Sequence, residues 1–200
     1  IFVYSFNGTN FDLDSVISGK DLDLTQEVRL GESISLSNDG NSLAIGAGLY
    51  DGEKIDQGAV FVLTANANSY SLHQTITRKY AEVAEKFGHV VEFLNNDTSL
   101  VIFSKNGDNN VVTTFDNLAT SFDESTNAIV DGFIDSGRID VYDKYINNYI
   151  FGETLSLHIE IAKNEYGSII QTARNSIFVS SPSATYDQNT NAGSVVIYSK

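Results

Sequence analysis

The chain has 200 residues, 42% of them hydrophobic, and sets 26 acidic groups against 12 basic ones for a net charge of −14. That is enough apolar material for a core, and the charge argues against nucleic acid and against anionic membrane surfaces as direct partners. No apolar run reaches the roughly 18 residues of a spanning helix, and the lack of cysteine removes disulfides, thiolate nucleophiles and cysteine-type zinc sites together.

Cysteine-free composition leans towards a bacterial, archaeal or viral source. Methionine is absent as well, and the opening Ile1-Phe2-Val3-Tyr4 reads as the middle of a strand, so a piece of something longer is expected. Asn7-Gly8-Thr9-Asn10 then supplies a turn before Phe11. Leu30-Gly31 precedes a strand over 42–47, built on Leu43-Ala44-Ile45, and after a loop at 48–57 comes a glycine-led strand over 58–63. Asn66-Ala67-Asn68-Ser69-Tyr70 repeats the pattern of an Asn turn followed by an aromatic. The stretch 78–86 reads as loop, with room for a helical turn or two at most. Phe87-Gly88 opens a second round with strands over 99–104 and 137–142 and the turn Asn147-Asn148-Tyr149; Tyr166-Gly167 opens a third with strands over 176–181 and 193–198.

Aligned, the glycine-led strands obey a period of two. One face carries Ile1/Val60/Ile139/Val195 and Val3/Val62/Val141/Ile197, all β-branched aliphatics, and is expected to be buried. The other carries Phe2/Phe61/Asp140/Val196 and Tyr4/Leu63/Tyr142/Tyr198, where Asp140 suggests a wetter surface. Each round reads as four antiparallel strands joined by hairpins, so the fold class is all-β, and repetition at this spacing predicts β-propeller blades.

The stretch Leu30 to Leu63 resembles an FG-GAP repeat, the blade of integrin α-like propellers and of many microbial surface proteins. Leu30-Gly31, Phe87-Gly88 and Tyr166-Gly167 stand where that family has Phe-Gly. Gly46-Ala47-Gly48 and Ser180-Ser181-Pro182 stand where it has Gly-Ala-Pro, and Phe103-Ser104-Lys105 departs from it. In that register residues 1–28 hold strands 3 and 4 of a preceding blade, 29–85 a full blade, 86–164 a blade with an insertion at about 106–136, and 165–200 strands 1 to 3 of a last blade. This is an incomplete propeller of about three and a quarter blades, which more chain or another subunit is expected to complete.

The family's calcium loop lies between strands 1 and 2. The matching segments here, at 37–42, 95–98 and 173–175, offer at most one carboxylate each, so they read as plain turns and calcium is disfavoured. Asp51 with Asp56 is a weaker cation candidate. His73 and His158 occupy equivalent strand-4 positions in different blades and so do not share a site; His89 follows the Phe-Gly pair and reads as partly buried. Asp12/Asp14 and Asp21/Asp23 read as solvated acidic faces rather than glycosidase pairs. No hydrolase, metalloprotease or phosphate-loop motif occurs. Asn7-Gly8-Thr9 and Asn96-Asp97-Thr98 are chance-level glycosylation triplets.

The spacing between the Phe-Gly-type glycine and the strand-3 glycine is 27 residues from Gly31 to Gly58, 49 from Gly88 to Gly137 and 26 from Gly167 to Gly193. The middle round therefore carries an insertion, whose apolar residues Val111, Val112, Phe115, Ile129, Val130, Phe133 and Ile134 need cover and are the binding-face candidates. The expected function is a non-enzymatic binding or structural module of an extracellular, cell-surface or virion assembly. Its partners would be other protein subunits or surface glycans, with no catalytic, cofactor or metal residues and no membrane insertion. The alternative is a propeller-type polysaccharide lyase or glycoside hydrolase.

Overall fold

A computed structural model describes residues 1–67, 69–94, 97–107, 137–155, 169–173, 175–182 and 193–199. Within them lie thirteen strands, one short 3-10 turn at Gly19–Leu22 and no α-helix. The strands form four antiparallel sheets whose members follow chain order. The first sheet is a ribbon of β1 (Phe2–Phe6) and β2 (Phe11–Val16). The second holds β3 (Ser33–Leu36), β4 (Ser42–Ala47), β5 (Ala59–Asn66) and β6 (Ser69–Ile76). The third holds β7 (Phe87–Leu94), β8 (Ser99–Ser104), β9 (Arg138–Tyr145) and β10 (Asn148–Leu155), and the fourth β11 (Ile170–Ala173), β12 (Ser176–Ser181) and β13 (Ser194–Ser199). All six expected strands are present within a residue or three of their predicted bounds, and the stretch 78–86 is loop.

The sheets stack face on face, and three apolar clusters lie between them. Phe61 and Leu63 of β5 pack with Ile1 and Val3 of the ribbon. On the opposite face of β5, Val60 and Val62 pack with Val91, Phe93, Leu100, Ile102 and Tyr142 of the third sheet. Ile139 and Val141 then pack with Ile170, Ile177 and Val179 of the fourth, joined by Val196 and Tyr198. The β-branched face of one sheet thus meets the mixed face of the next at every junction. Alternation puts successive side chains on opposite faces, so a strand buried on both sides reads as a continuous apolar run, as β5 does.

The glycines of the Phe-Gly pairs explain how closely the sheets approach. Gly88 has φ +86° and a β-carbon there would sit 2.5 Å from the Ala59 carbonyl oxygen. Its counterpart Gly31, at φ +87°, abuts the Ile1 side chain, as Gly88 abuts Val60. Gly58 meets Phe87 in an isolated parallel bridge, so the second and third sheets touch backbone to backbone.

Two expectations are overturned. Val195 and Ile197 are 65% and 58% exposed, not buried. They have the right pattern, but among the described residues no further sheet covers that side of the fourth sheet. Asp140 is buried rather than wet. Its Oδ1 accepts from Arg138 Nε at 2.9 Å and from Thr154 Oγ1 at 2.6 Å, and a carboxylate with charge-assisted partners survives burial.

Candidate functional site

A cleft of about 300 Å³ opens where the second and third sheets meet at their outer strands. It is lined by Asp39 and Asn41 of the β3–β4 turn, Ser42 of β4, Val62 and Thr64 of β5, His73 of β6, and Lys144, Asn147 and Tyr149 of the β9–β10 hairpin. Side chains of β6 clamp it to β10. Gln74 Nε2 donates to the Tyr149 carbonyl while Tyr149 N–H donates to Gln74 Oε1, both at 2.8 Å, and His73 Nε2 donates to the Asn147 carbonyl at 2.7 Å. A carbonyl only accepts, so the proton of His73 is on Nε2.

Asp39 is committed to its own turn. It accepts from Asn41 N–H, Ser37 Oγ and Asn41 Nδ2, at 2.9, 2.7 and 2.9 Å. These bonds, the Asn41 backbone N–H first, with a smaller contribution from the Lys144 cation, hold its carboxyl down at about 2. Burial, helped by the Asp97 and Asp39 charges, pushes Tyr149 up to about 12. Its hydroxyl donates to the Asp97 carbonyl at 3.0 Å, and Lys144 Nζ stands 5.7 Å from the centre of its ring. The cleft therefore holds a carboxylate anchored in its own turn, the Lys144 side chain and several hydrogen-bonding groups. It is equipped to bind a small polar group, and Asp39, ionised throughout the neutral range, is unsuited to general-acid work.

The nominated residues fall as follows. His73 is exposed in the cleft, and His158 lies outside the described residues. His89 is half-buried and its Nδ1 lies 2.8 Å from Glu32 Oε1, a structural pairing between the second and third sheets. Asp51 Oδ1 accepts from Asp56 N–H at 2.7 Å and closes the 48–57 loop. Asp12 accepts from Asn7 Nδ2, Asp14 from Ser5 Oγ, and Asp21 caps the 3-10 turn by accepting from Ser18 N–H and Oγ. Among the described residues no three His, Asp or Glu side chains gather as a metal set. Asn7 Oδ1 is engaged by the N–H groups of Thr9 and Asn10. The insertion, with Val111, Val112, Phe115, Ile129, Val130, Phe133 and Ile134, lies outside the described residues.

Sequence reasoning missed Lys144 and Tyr149. A signal for Tyr149 was present, because the aromatic after the Asn turn recurs. Tyr70 OH donates to the Gly40 carbonyl at 2.7 Å just as Tyr149 OH donates to Asp97. For Lys144 no local pattern exists; only the crossing of two sheets brings it near Asp39.

The second candidate is a surface. Register pairs Phe2 with Val16, Tyr4 with Leu13 and Phe6 with Phe11, so all six side chains share the outer face of the ribbon. Each is at least half exposed, Phe2 to 66% and Phe11 to 71%. At the other end of the stack, Val195 and Ile197 stand beside Ser180 and Phe178 on the outer face of the fourth sheet. Neither set contains a charged side chain, in a chain of net charge −14.

No protein-family model matches the chain, and no curated protein matches it significantly.

Proposed function

We propose that the chain is a non-enzymatic binding or structural module, made of FG-GAP-type β-propeller blades and working in an extracellular, cell-surface or virion assembly. The four stacked antiparallel sheets, with a Phe-Gly-type glycine at two of the junctions, support the propeller reading. The observation that carries the function is the outer ribbon face. Soluble monomers seldom leave six contiguous large apolar side chains in water, and such a patch on an otherwise acidic protein is suited to protein contact. Protein subunits are accordingly the first partners; surface glycans suit the polar cleft between the second and third sheets.

The polysaccharide-active alternative would need a carboxyl able to donate a proton at the cleft. Asp39, the one carboxylate lining it among the described residues, is held ionised. Burial raises Glu92, but that residue is not part of the cleft lining. The test is turnover: neutral and acidic polysaccharides incubated with the purified chain should yield neither new reducing ends nor unsaturated uronate absorbance. Release of either, abolished by Asp39→Asn or His73→Ala, would replace the binding reading with the enzymatic one.

A further inference from the structure

Away from the cleft and the ribbon, a third surface joins exposed apolar side chains to a distinct charge balance. Ile55, on the loop between β4 and β5, is 67% exposed; Tyr80 and Val83, on the loop between β6 and β7, are 55% and 66% exposed. The two loops are tied backbone to backbone, Ala84 N–H donating to the Ile55 carbonyl at 2.8 Å and Lys86 N–H to the Asp56 carbonyl at 3.1 Å. The insertion departs from the same place. Asn106 N–H donates to the Glu85 carbonyl at 3.0 Å and its Nδ2 to the Ala84 carbonyl at 2.8 Å. A β-carbon on Gly107 would fall 2.8 Å from the Arg138 β-carbon, so the chain leaves and returns at one point beside Val83. From this we infer that residues 108–136 seat their apolar stretches on the Ile55, Tyr80 and Val83 surface of their own chain.

Composition, charge and tether favour this occupant. The stretches 111–115 and 129–134 need apolar cover, and the two loops offer an apolar surface that needs the same. Residues 108–136 also carry six carboxylates and no lysine or arginine. Such a segment is repelled by most of a chain in which acids outnumber bases 26 to 12. The docking surface is the exception. Loops 48–58 and 77–86, with Lys105 before the departure point, hold five basic groups against five carboxylates. One of those pairs, Arg78 with Glu85, is closed at 2.9 Å, and the ring of lysines is completed by Lys54, Lys79 and Lys86. Both ends of the segment are held beside the surface, so its effective concentration there is on the order of millimolar and the loop is already closed before any contact forms. A segment from a second molecule has neither advantage. The contact ties the insertion of the third sheet to the β4–β5 loop of the second and so braces the junction between them.

The chain has no cysteine, so introduced pairs report the contact directly. In the full chain, Val83→Cys is combined with Phe115→Cys or with Ile129→Cys, and Ile150→Cys with the same two partners serves as the comparison. Ile150 is 51% exposed and pairs in register with Asp143, five residues after Arg138 on β9, so the same segment can reach it. Melting curves of the reduced variants check that the fold is retained. In dilute protein under a glutathione redox buffer, the Val83→Cys pairs should close an intramolecular disulfide at least about tenfold faster than the Ile150→Cys pairs. Adding Lys54→Glu and Lys86→Glu should slow that closure at low salt. Equal rates at Val83 and Ile150 overturn the inference, since the segment then has no preferred surface. Disulfide-linked dimers in place of the closed monomer overturn it as well, because a second copy would be supplying the segment. None of these outcomes bears on polysaccharide turnover, which decides the binding-module reading separately.

Discussion

Three glycine-to-alanine substitutions separate backbone strain from sheet contact. Gly40, in the β3–β4 turn, has φ +71° and nothing within 4 Å of the position a β-carbon would take. Gly40→Ala therefore measures conformational strain alone, about 1 kcal/mol. Gly46 on β4 has an ordinary backbone, but its β-carbon would fall well inside contact distance of the Gly88 carbonyl oxygen. That oxygen is backbone of the facing sheet and cannot swing aside, so Gly46→Ala measures overpacking alone, about 2–3 kcal/mol. Gly88 combines φ +86° with a β-carbon 2.5 Å from the Ala59 carbonyl oxygen. Its substitution should cost about 3–4 kcal/mol, the strain and the contact together. Urea unfolding followed by fluorescence and circular dichroism gives each value, with the slope m unchanged if only the folded state is affected. In thermal melts of a chain this size each kcal/mol corresponds to about 2–4 °C. A Gly46→Ala variant no less stable than Gly40→Ala would refute the close approach of the second and third sheets.

Arg78→Met should cost about 3–5 kcal/mol, because it strands the fully buried Glu85 whose Oε1 it holds at 2.9 Å, and adding Glu85→Gln should recover most of the loss in chemical denaturation. Val62→Asp, which puts an unpaired charge between the second and third sheets, should cost several kcal/mol, roughly 3–5, and a melt like wild type would contradict the face assignment. Glu92 is raised by burial, against a weaker opposing bond from Ser35, so its neutral form is favoured on folding. That contribution is fully present below pH 4.5 and is lost as pH rises through the raised folded value. Glu92→Gln should accordingly gain melting temperature over wild type at neutral pH and lose that advantage in acid; a difference independent of pH would exclude the linkage.

Local pattern determined where the strands are. Alternating β-branched residues behind a glycine marked 58–63, 137–142 and 193–198, short apolar runs marked 42–47, 99–104 and 176–181, and strands occur at each, because the period of two is a property of the backbone itself. The same pattern correctly assigned Val60, Val62, Ile139 and Val141 to the interior. It could not separate these from Val195 and Ile197, whose local sequence is equivalent. Burial depends on what stands on the other side, and that is set by the stacking of whole sheets. Asp140 failed in the opposite direction: its polarity was legible, but the Arg138 and Thr154 groups that make it tolerable in the interior meet it only once the third sheet has formed. The cleft shows the limit most plainly. Asp39, His73 and Lys144 are separated by 34 and 71 residues along the chain, and no spacing rule connects them. They meet because the antiparallel hairpins of two consecutive sheets bring the β3–β4 turn, β6 and β9 to one edge of the junction between them, where side-chain bonds from β6 to the β9–β10 hairpin hold the two sheets together. Sequence period dictates each strand's two faces; only the packing of sheet on sheet decides which face is covered and which distant side chains become neighbours.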